Sequence, residues 1–145
     1  MVVRRVEVSG LIDLRHRVLL PGEPRATAHF DGDADASTIH FGAFDYDRLV
    51  GCVTIMQRPH EARPAWQLRG MAVEDDVQRR GVGSMLIAAV DEVVASHAVR
   101  RLWCNARSPA IPFYERHGWV VAGEEFLIPI AGPHRVMMCR KHERP

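Results

Sequence analysis

Apolar residues recur at two periods along this chain. Over 82–97 they fall at helical spacing: Val82, Met85, Leu86, Ala89, Val90, Val93 and Val94, with His97 closing the stripe. That spacing predicts an amphipathic helix with one core face. A shorter stripe, Leu11, Leu14, Val18 and Leu19, predicts a helix over 11–20, capped by Ser9 and ended by Pro21-Gly22. Residues 2–8, 38–44, 49–56, 67–73 and 101–106 read as strands, and Asp45-Tyr46-Asp47-Arg48 reads as a hairpin turn. Residues 109–117 predict a short helix with Gly118 as its left-handed cap. Segments 119–121, 125–128 and 135–140 read as extended, with a turn over 129–133. Residues 21–37 and 57–64 read as loops. In the first, Asp31, Asp33 and Asp35 lack the spacing of a calcium loop and read as solvated. The order β-α-β-β-β-α-β-α-β-β predicts an α/β fold, a mixed sheet with helices packed on both faces.

Composition narrows the function classes. A chain of 145 residues suits one domain, 1–145. A net charge of +1 makes no bulk electrostatic case for nucleic acid or membrane. No apolar run approaches the ~20 residues of a membrane helix, and the N-terminus lacks a signal-type apolar region. Cys52, Cys104 and Cys139 each sit in an apolar run and read as buried free thiols, which predicts a cytoplasmic protein. No Cys/His spacing matches a zinc site, so no metal is expected. Lys141 is the only lysine. Arginine suits bidentate binding of carboxylate or phosphate, although a GC-rich coding sequence gives the same bias.

The segment 67–84, QLRGMAVEDDVQRRGVGS, carries the candidate chemistry. It reads as a strand, a short acidic break and a glycine-rich turn opening a helix. A helix start leaves N–H groups without intrahelical partners, and the helix dipole adds positive potential there. Gly81 and Gly83 lack Cβ atoms, so a phosphate can approach the main chain, and Arg79 and Arg80 add charge. A diphosphate-bearing ligand is one reading and a plain strand-to-helix connection the other. The turn is neither a P-loop nor a GxGxxG dinucleotide turn, because Met85 and Leu86 follow Ser84.

The strand, the Gln-Arg-Arg-Gly-Val-Gly-Ser turn, the LWCNA strand and the IPFYERHGW helix together resemble the core of the GNAT superfamily of acyl-coenzyme A N-acyltransferases. Gln78, Arg79, Arg80, Gly81, Val82 and Gly83 fit its Q/R-x-x-G-x-G/A loop. A finer likeness is to the glyphosate N-acetyltransferase-like subgroup. It rests on LRHRVL (14–19), HFGA (40–43), QLRGMA (67–72), LWCNAR (102–107), FYERHGW (113–119) and IPIAGPH (128–134).

The resemblance implies a mostly antiparallel mixed sheet that splays between two central strands, with acetyl-CoA as cosubstrate. It implies that Gln78, Arg79, Arg80, Gly81, Val82, Gly83 and Ser84 hold the pyrophosphate. Met71, Ala72, Val73 and Asn105 would line the coenzyme arm, with the Met71 N–H polarising the thioester carbonyl. Tyr114 would return a proton to the leaving thiolate, where the residues alone allow an ordinary packing aromatic. His134 would act as general base, where the residues alone allow a surface-loop histidine. Arg69 and Arg107 would grip an anionic amine substrate. One position departs from the subgroup. Leu20 stands where glyphosate-acetylating relatives carry an arginine, and a lost charged hydrogen bond costs about 1.5–3 kcal/mol. A singly charged or more apolar small amine is thereby expected. The competing functions are a protein N-terminal or lysine acetyltransferase and a non-catalytic coenzyme A sensor. A monomer or homodimer is expected.

Overall fold

The computed structural model describes residues 1–143. Its strands are β1 (Val2–Arg5), β2 (Ile39–Asp45), β3 (Arg48–Gln57), β4 (Trp66–Val73), β5 (Leu102–Arg107), β6 (Trp119–Val121), β7 (Phe126–Ile128) and β8 (Gly132–Cys139). Its α-helices are α1 (Ile12–Leu19), α2 (Val82–Ala95) and α3 (Ile111–Arg116). The strands form an eight-stranded sheet in the order β1-β2-β3-β4-β5-β8-β6, with β7 also on β8. The β4–β5 pair is parallel, while β1–β2, β2–β3, β5–β8, β6–β8 and β7–β8 are antiparallel. This is the mixed, mostly antiparallel α/β sheet expected, with one strand more after α3 than the sequence order gave.

The chain divides into two compact units. The first comprises Met1–Met56 and Arg69–Val90. Here β2 and β3 form the expected hairpin, with Asp45 opposite Arg48 and Tyr46 at φ 53° in the turn. Neighbouring strand residues point to opposite faces, and β3 uses both. A side chain at Gly51 would meet Val82 and Leu86 of α2, whereas Cys52 packs with Leu11 and Leu14 of α1. The two helices therefore cover opposite faces of β3. Val18 and Leu19 pack against the α1 cluster as their spacing predicts. Ser9 does not cap the helix. Val8–Gly10 forms a 3₁₀ turn, and Leu11 takes the cap position with its amide on the Val8 carbonyl at 2.9 Å.

The second unit comprises Gln57–Leu68 and Asp91–Pro145. Its sheet is built on the β5–β8 ladder, from Leu102 opposite Cys139 to Arg107 opposite His134. Trp66, Leu102, Cys104, Trp119, Met137 and Cys139 are buried in it. Gly118, at φ 85°, turns the chain from α3 into β6, as a left-handed cap does. Gly132 and Pro133 are not in the turn that the sequence suggested. They open β8, opposite Ile128 and Leu127, and the left-handed residue of the turn is Ile130 at φ 73°.

All three cysteines are free and buried. Burial pushes the Cys52 thiol up to about 12 and raises those of Cys104 and Cys139. No helix among the described residues is long and apolar enough to cross a membrane.

Candidate active site

The parallel β4–β5 ladder stops early. It joins Trp66, Gln67 and Leu68 to Leu102, Trp103 and Cys104, all in the second unit. Two residues later Gly70 adopts φ 65°, a break in the extended path of β4. A Cβ there would lie 2.9 Å from the Phe30 ring and 3.2 Å from Arg15 Nε. Only glycine meets both demands cheaply. Met71, Ala72 and Val73, the residues assigned to the coenzyme arm, follow this break.

Beyond β4, Asp75–Val77 forms a 3₁₀ turn and α2 opens at Val82. Between them Arg79 stands at φ 67° and Gly81 at φ 80°. Backbone that alternates in this way turns successive N–H groups to one side, a concavity that suits anions. The first helical bond runs from the Met85 amide to the Gly81 carbonyl at 3.0 Å, so the amides of Val82, Gly83 and Ser84 lie in the opening turn. Space beside Gly81 is open, with nothing within 4 Å of where a Cβ would lie. Gln78 braces the loop through its side-chain amide, which donates to Asp75 Oδ1 at 3.1 Å and the Val73 carbonyl at 3.3 Å. Arg79 and Arg80 are exposed.

The acidic break beside this loop would repel a diphosphate if left alone. Instead Arg48 forks onto Asp76 at 2.8 and 2.9 Å and reaches Glu74 at 3.2 Å, while Arg17 binds Glu74 at 2.7 Å. The Arg48 hydrogen bonds hold the Asp76 carboxyl below its ordinary range despite partial desolvation. The Glu74 and Asp76 carboxylates are thus matched by cations.

The first unit also holds a polar cluster that sequence reasoning missed. Arg15 is fully buried. It forks onto Asp33 at 2.7 and 3.0 Å, donates to Thr54 Oγ1 at 2.7 Å and to the Ala28 carbonyl at 3.0 Å, and stacks 4.0 Å from the Phe30 ring centre. His40 bridges Thr54 Oγ1 at 2.7 Å and the Asp33 carbonyl at 3.0 Å. Asp33 is therefore an anchor rather than a solvated loop residue. Burial pushes its carboxyl up, but hydrogen bonds from Arg15 and the Phe30 amide outweigh this and leave it below the ordinary range. Arg69 also stacks on Phe30, at 4.6 Å, so two guanidiniums share one ring. A signal for Arg15 was present: it falls on the helical stripe of Leu11, Leu14 and Val18. Leu20, at the C-cap of α1, is half-buried.

In the second unit, β5 and β8 bring two assigned residues together. Arg107 pairs directly with His134, and Asn105 with Val136. Directly paired residues share a face, so Asn105, Arg107 and His134 lie on one side of the ladder. His134 is buried, at 4% exposure, with the Phe126 ring at 6.1 Å. It is a strand residue rather than a surface-loop histidine. Its Nδ1–H donates to the Gly132 carbonyl at 2.7 Å. In the neutral ring this leaves the lone pair on Nε2, the form a general base requires.

Tyr114 stands on α3, packed 5.3 Å from Trp119 and 5.4 Å from Phe113. Burial, with the Cys104 thiol as a neighbour, raises its phenol well above the ordinary range. Cys104 alternates with Asn105 on β5, so Tyr114 and His134 lie on opposite faces of the ladder. Although the sequence spacing matched no zinc site, the fold gathers Asp91, Cys139 and His142, one donor atom each, within 4.8 Å. Lys141 Nζ sits 2.5 Å from Asp91 and His142 Nε2 2.8 Å from it, so the carboxylate already has two partners.

Residues 11–119 match the acetyltransferase (GNAT) family model. The chain is 31% identical over 141 residues to the Bacillus subtilis protein named uncharacterized N-acetyltransferase YitI, covering 93% of each. Among solved structures it is similar to Escherichia coli ElaA, with a TM-score of 0.79 at 17% identity over 95% of this chain and 99% of that one. It is also similar to an aminoglycoside 6'-N-acetyltransferase complexed with coenzyme A, with a TM-score of 0.73 at 17% identity over 100% of this chain and 99% of that one. Both structural likenesses concern the fold. The chain belongs to the acetyltransferase (GNAT) family and is an acetyl-CoA-dependent N-acetyltransferase.

Proposed function

We propose that the acceptor is a small amine bearing a carboxylate or other anionic group, and that the chain acts as one domain over 1–145. The observation that carries this reading is the direct pairing of Arg107 with buried His134 across β5 and β8. It sets a cation and a base on one face, the two groups an anionic ammonium compound needs. Arg69 supplies a second guanidinium from β4. His134 Nε2 accepts the proton that the amine sheds as it attacks the acetyl carbon. Tyr114 gives a proton to the sulfur as the carbon–sulfur bond breaks. Acetyl-CoA supplies the activated acetyl group. Gln78, Arg79, Arg80, Gly81, Val82, Gly83 and Ser84 bind its pyrophosphate. Met71, Ala72, Val73 and Asn105 line its arm, and the Met71 N–H polarises the carbonyl. This chemistry agrees with the glyphosate N-acetyltransferase-like resemblance. Leu20 argues for a less highly charged acceptor than a phosphonate. Three buried free thiols suit a reducing, cytoplasmic setting.

The test is thiol release from acetyl-CoA across amino acids, aminophosphonates, polyamines and a lysine peptide. Turnover confined to anionic amines, with KM raised about tenfold or more in Arg69→Ala and in Arg107→Ala, is the expected result. Turnover of the peptide or polyamines instead would overturn the anionic-amine reading.

A further inference from the structure

The geometry points to a second anion site, in the second unit, that takes a small multiply charged oxyanion such as a polyphosphate or polycarboxylate. A cavity of about 710 Å³ is lined there by Arg63, Arg100, Arg101 and Arg140, with His97 and His142. Among the described residues, Glu143 is the one carboxylate in the lining, and it is spent on Arg140, at 2.9 and 3.0 Å. Among the described residues the four guanidiniums thus meet two acids, Glu143 in the lining and Glu61 at 3.9 Å from Arg101.

The site is separate from the residues proposed for catalysis. It lies where β5 begins and β8 ends, beside Leu102 and Cys139, whereas Arg107 and His134 close the other end of that ladder. Five steps of a strand at about 3.3 Å each put the two ends roughly 17 Å apart.

Two features favour a ligand over a merely solvated basic patch. Arg101 is held in place, with Nη2 donating to His60 Nδ1 at 3.2 Å, and His60 stacks on Trp103 at 5.0 Å. Its Nε is buried and has no hydrogen-bond partner among the described residues. Glu61 approaches only to 3.9 Å and is itself exposed. Arg100 spends one of its five N–H donors, Nε, on the His97 carbonyl at 3.2 Å. The carbonyls that end α2 would repel an anion, but they are engaged. Besides the Arg100 bond, Ser96 Oγ sits on the Glu92 and Val93 carbonyls at 3.2 and 3.1 Å. Fixed guanidinium forks with spare donors are what bidentate oxyanion binding requires.

The experiment is calorimetric titration of the full chain with tripolyphosphate and, separately, citrate at low ionic strength. Both are run in the presence of saturating coenzyme A, so that the pyrophosphate loop cannot supply the signal. Saturable binding is expected, weakened about tenfold or more in Arg100→Gln and in Arg140→Gln. Thiol release in the absence of the anion should stay unchanged in both variants. Arg101→Lys keeps the charge but loses the fork, and should weaken binding if it folds. The citrate arm decides whether phosphate or carboxylate is preferred. Absence of saturable binding, or binding that survives Arg100→Gln and Arg140→Gln but vanishes in Arg79→Ala, would overturn the proposal. Neither outcome bears on the anionic-amine reading, which the amine panel tests alone.

Discussion

Arg15 in the first unit and His134 in the second are both buried polar side chains, and they are held very differently. Arg15 is tied to a carboxylate, a hydroxyl, a carbonyl and an aromatic ring. Among the described residues His134 is fixed by one hydrogen bond, from Nδ1 to the Gly132 carbonyl. A group engaged on nearly every side does structural work, since moving it costs several interactions at once. A group fixed at one end, with a basic nitrogen at the other, can exchange a proton with a substrate. The contrast predicts that damage to the Arg15 cluster reads out first in stability, and damage to His134 in turnover.

The sharpest test is His134→Ala. Turnover should fall by about 10²–10⁴-fold. Coenzyme A affinity and melting temperature should change little. A large loss of melting temperature instead would make His134 another anchor. Next comes Asp33→Asn, which strips the buried Arg15 of its counter-charge. Breaking one side of a buried pair typically costs about 3–5 kcal/mol, measurable by urea unfolding, with little effect on KM in the remaining folded enzyme. Tyr114→Phe should lower turnover by about 10²-fold with thiol release still saturable in acetyl-CoA, at the lower end of the range for one proton-transfer group.

The smallest effects concern pH. The folded-state carboxyl of Asp33 is below its unfolded value, so its stabilisation is present above about pH 4 and fades as pH falls. Tyr114 and the cysteines are raised in the folded state, so the native form holds their protons longer than the unfolded chain does. Stability should therefore decline as pH rises past about 9, where unfolded thiols ionise. Melting curves from pH 3 to 11 check both limbs, and Asp33→Asn should flatten the acid limb alone.

Much of this was legible in the sequence, for physical reasons. The stripe through Val82, Leu86, Val90 and Val94 is a helix face because apolar spacing leaves it no other way to be buried. The β2–β3 hairpin followed from two strand-like runs, 38–44 and 49–56, flanking the Asp45-Tyr46-Asp47-Arg48 turn. Arg15 was hidden because an arginine on an apolar stripe reads as a gap, and its partner lies 18 residues on in an acidic loop. Ser9 failed as a cap because a 3₁₀ turn consumed the residues it needed. Gly70 is crowded by Phe30, a contact that no local pattern announces. The family resemblance supplied the roles proposed for Arg107 and His134, and their register across β5 and β8 appears only once the strands pair.

The buried thiols have a practical corollary. Cys52, Cys104 and Cys139 are shielded and hard to ionise, so a colorimetric thiol reagent should ignore the native enzyme and count only the coenzyme A it liberates. Once the chain unfolds, all three become reactive. A single reagent can therefore serve as a meter of product and, in the absence of acetyl-CoA, as a clock for unfolding.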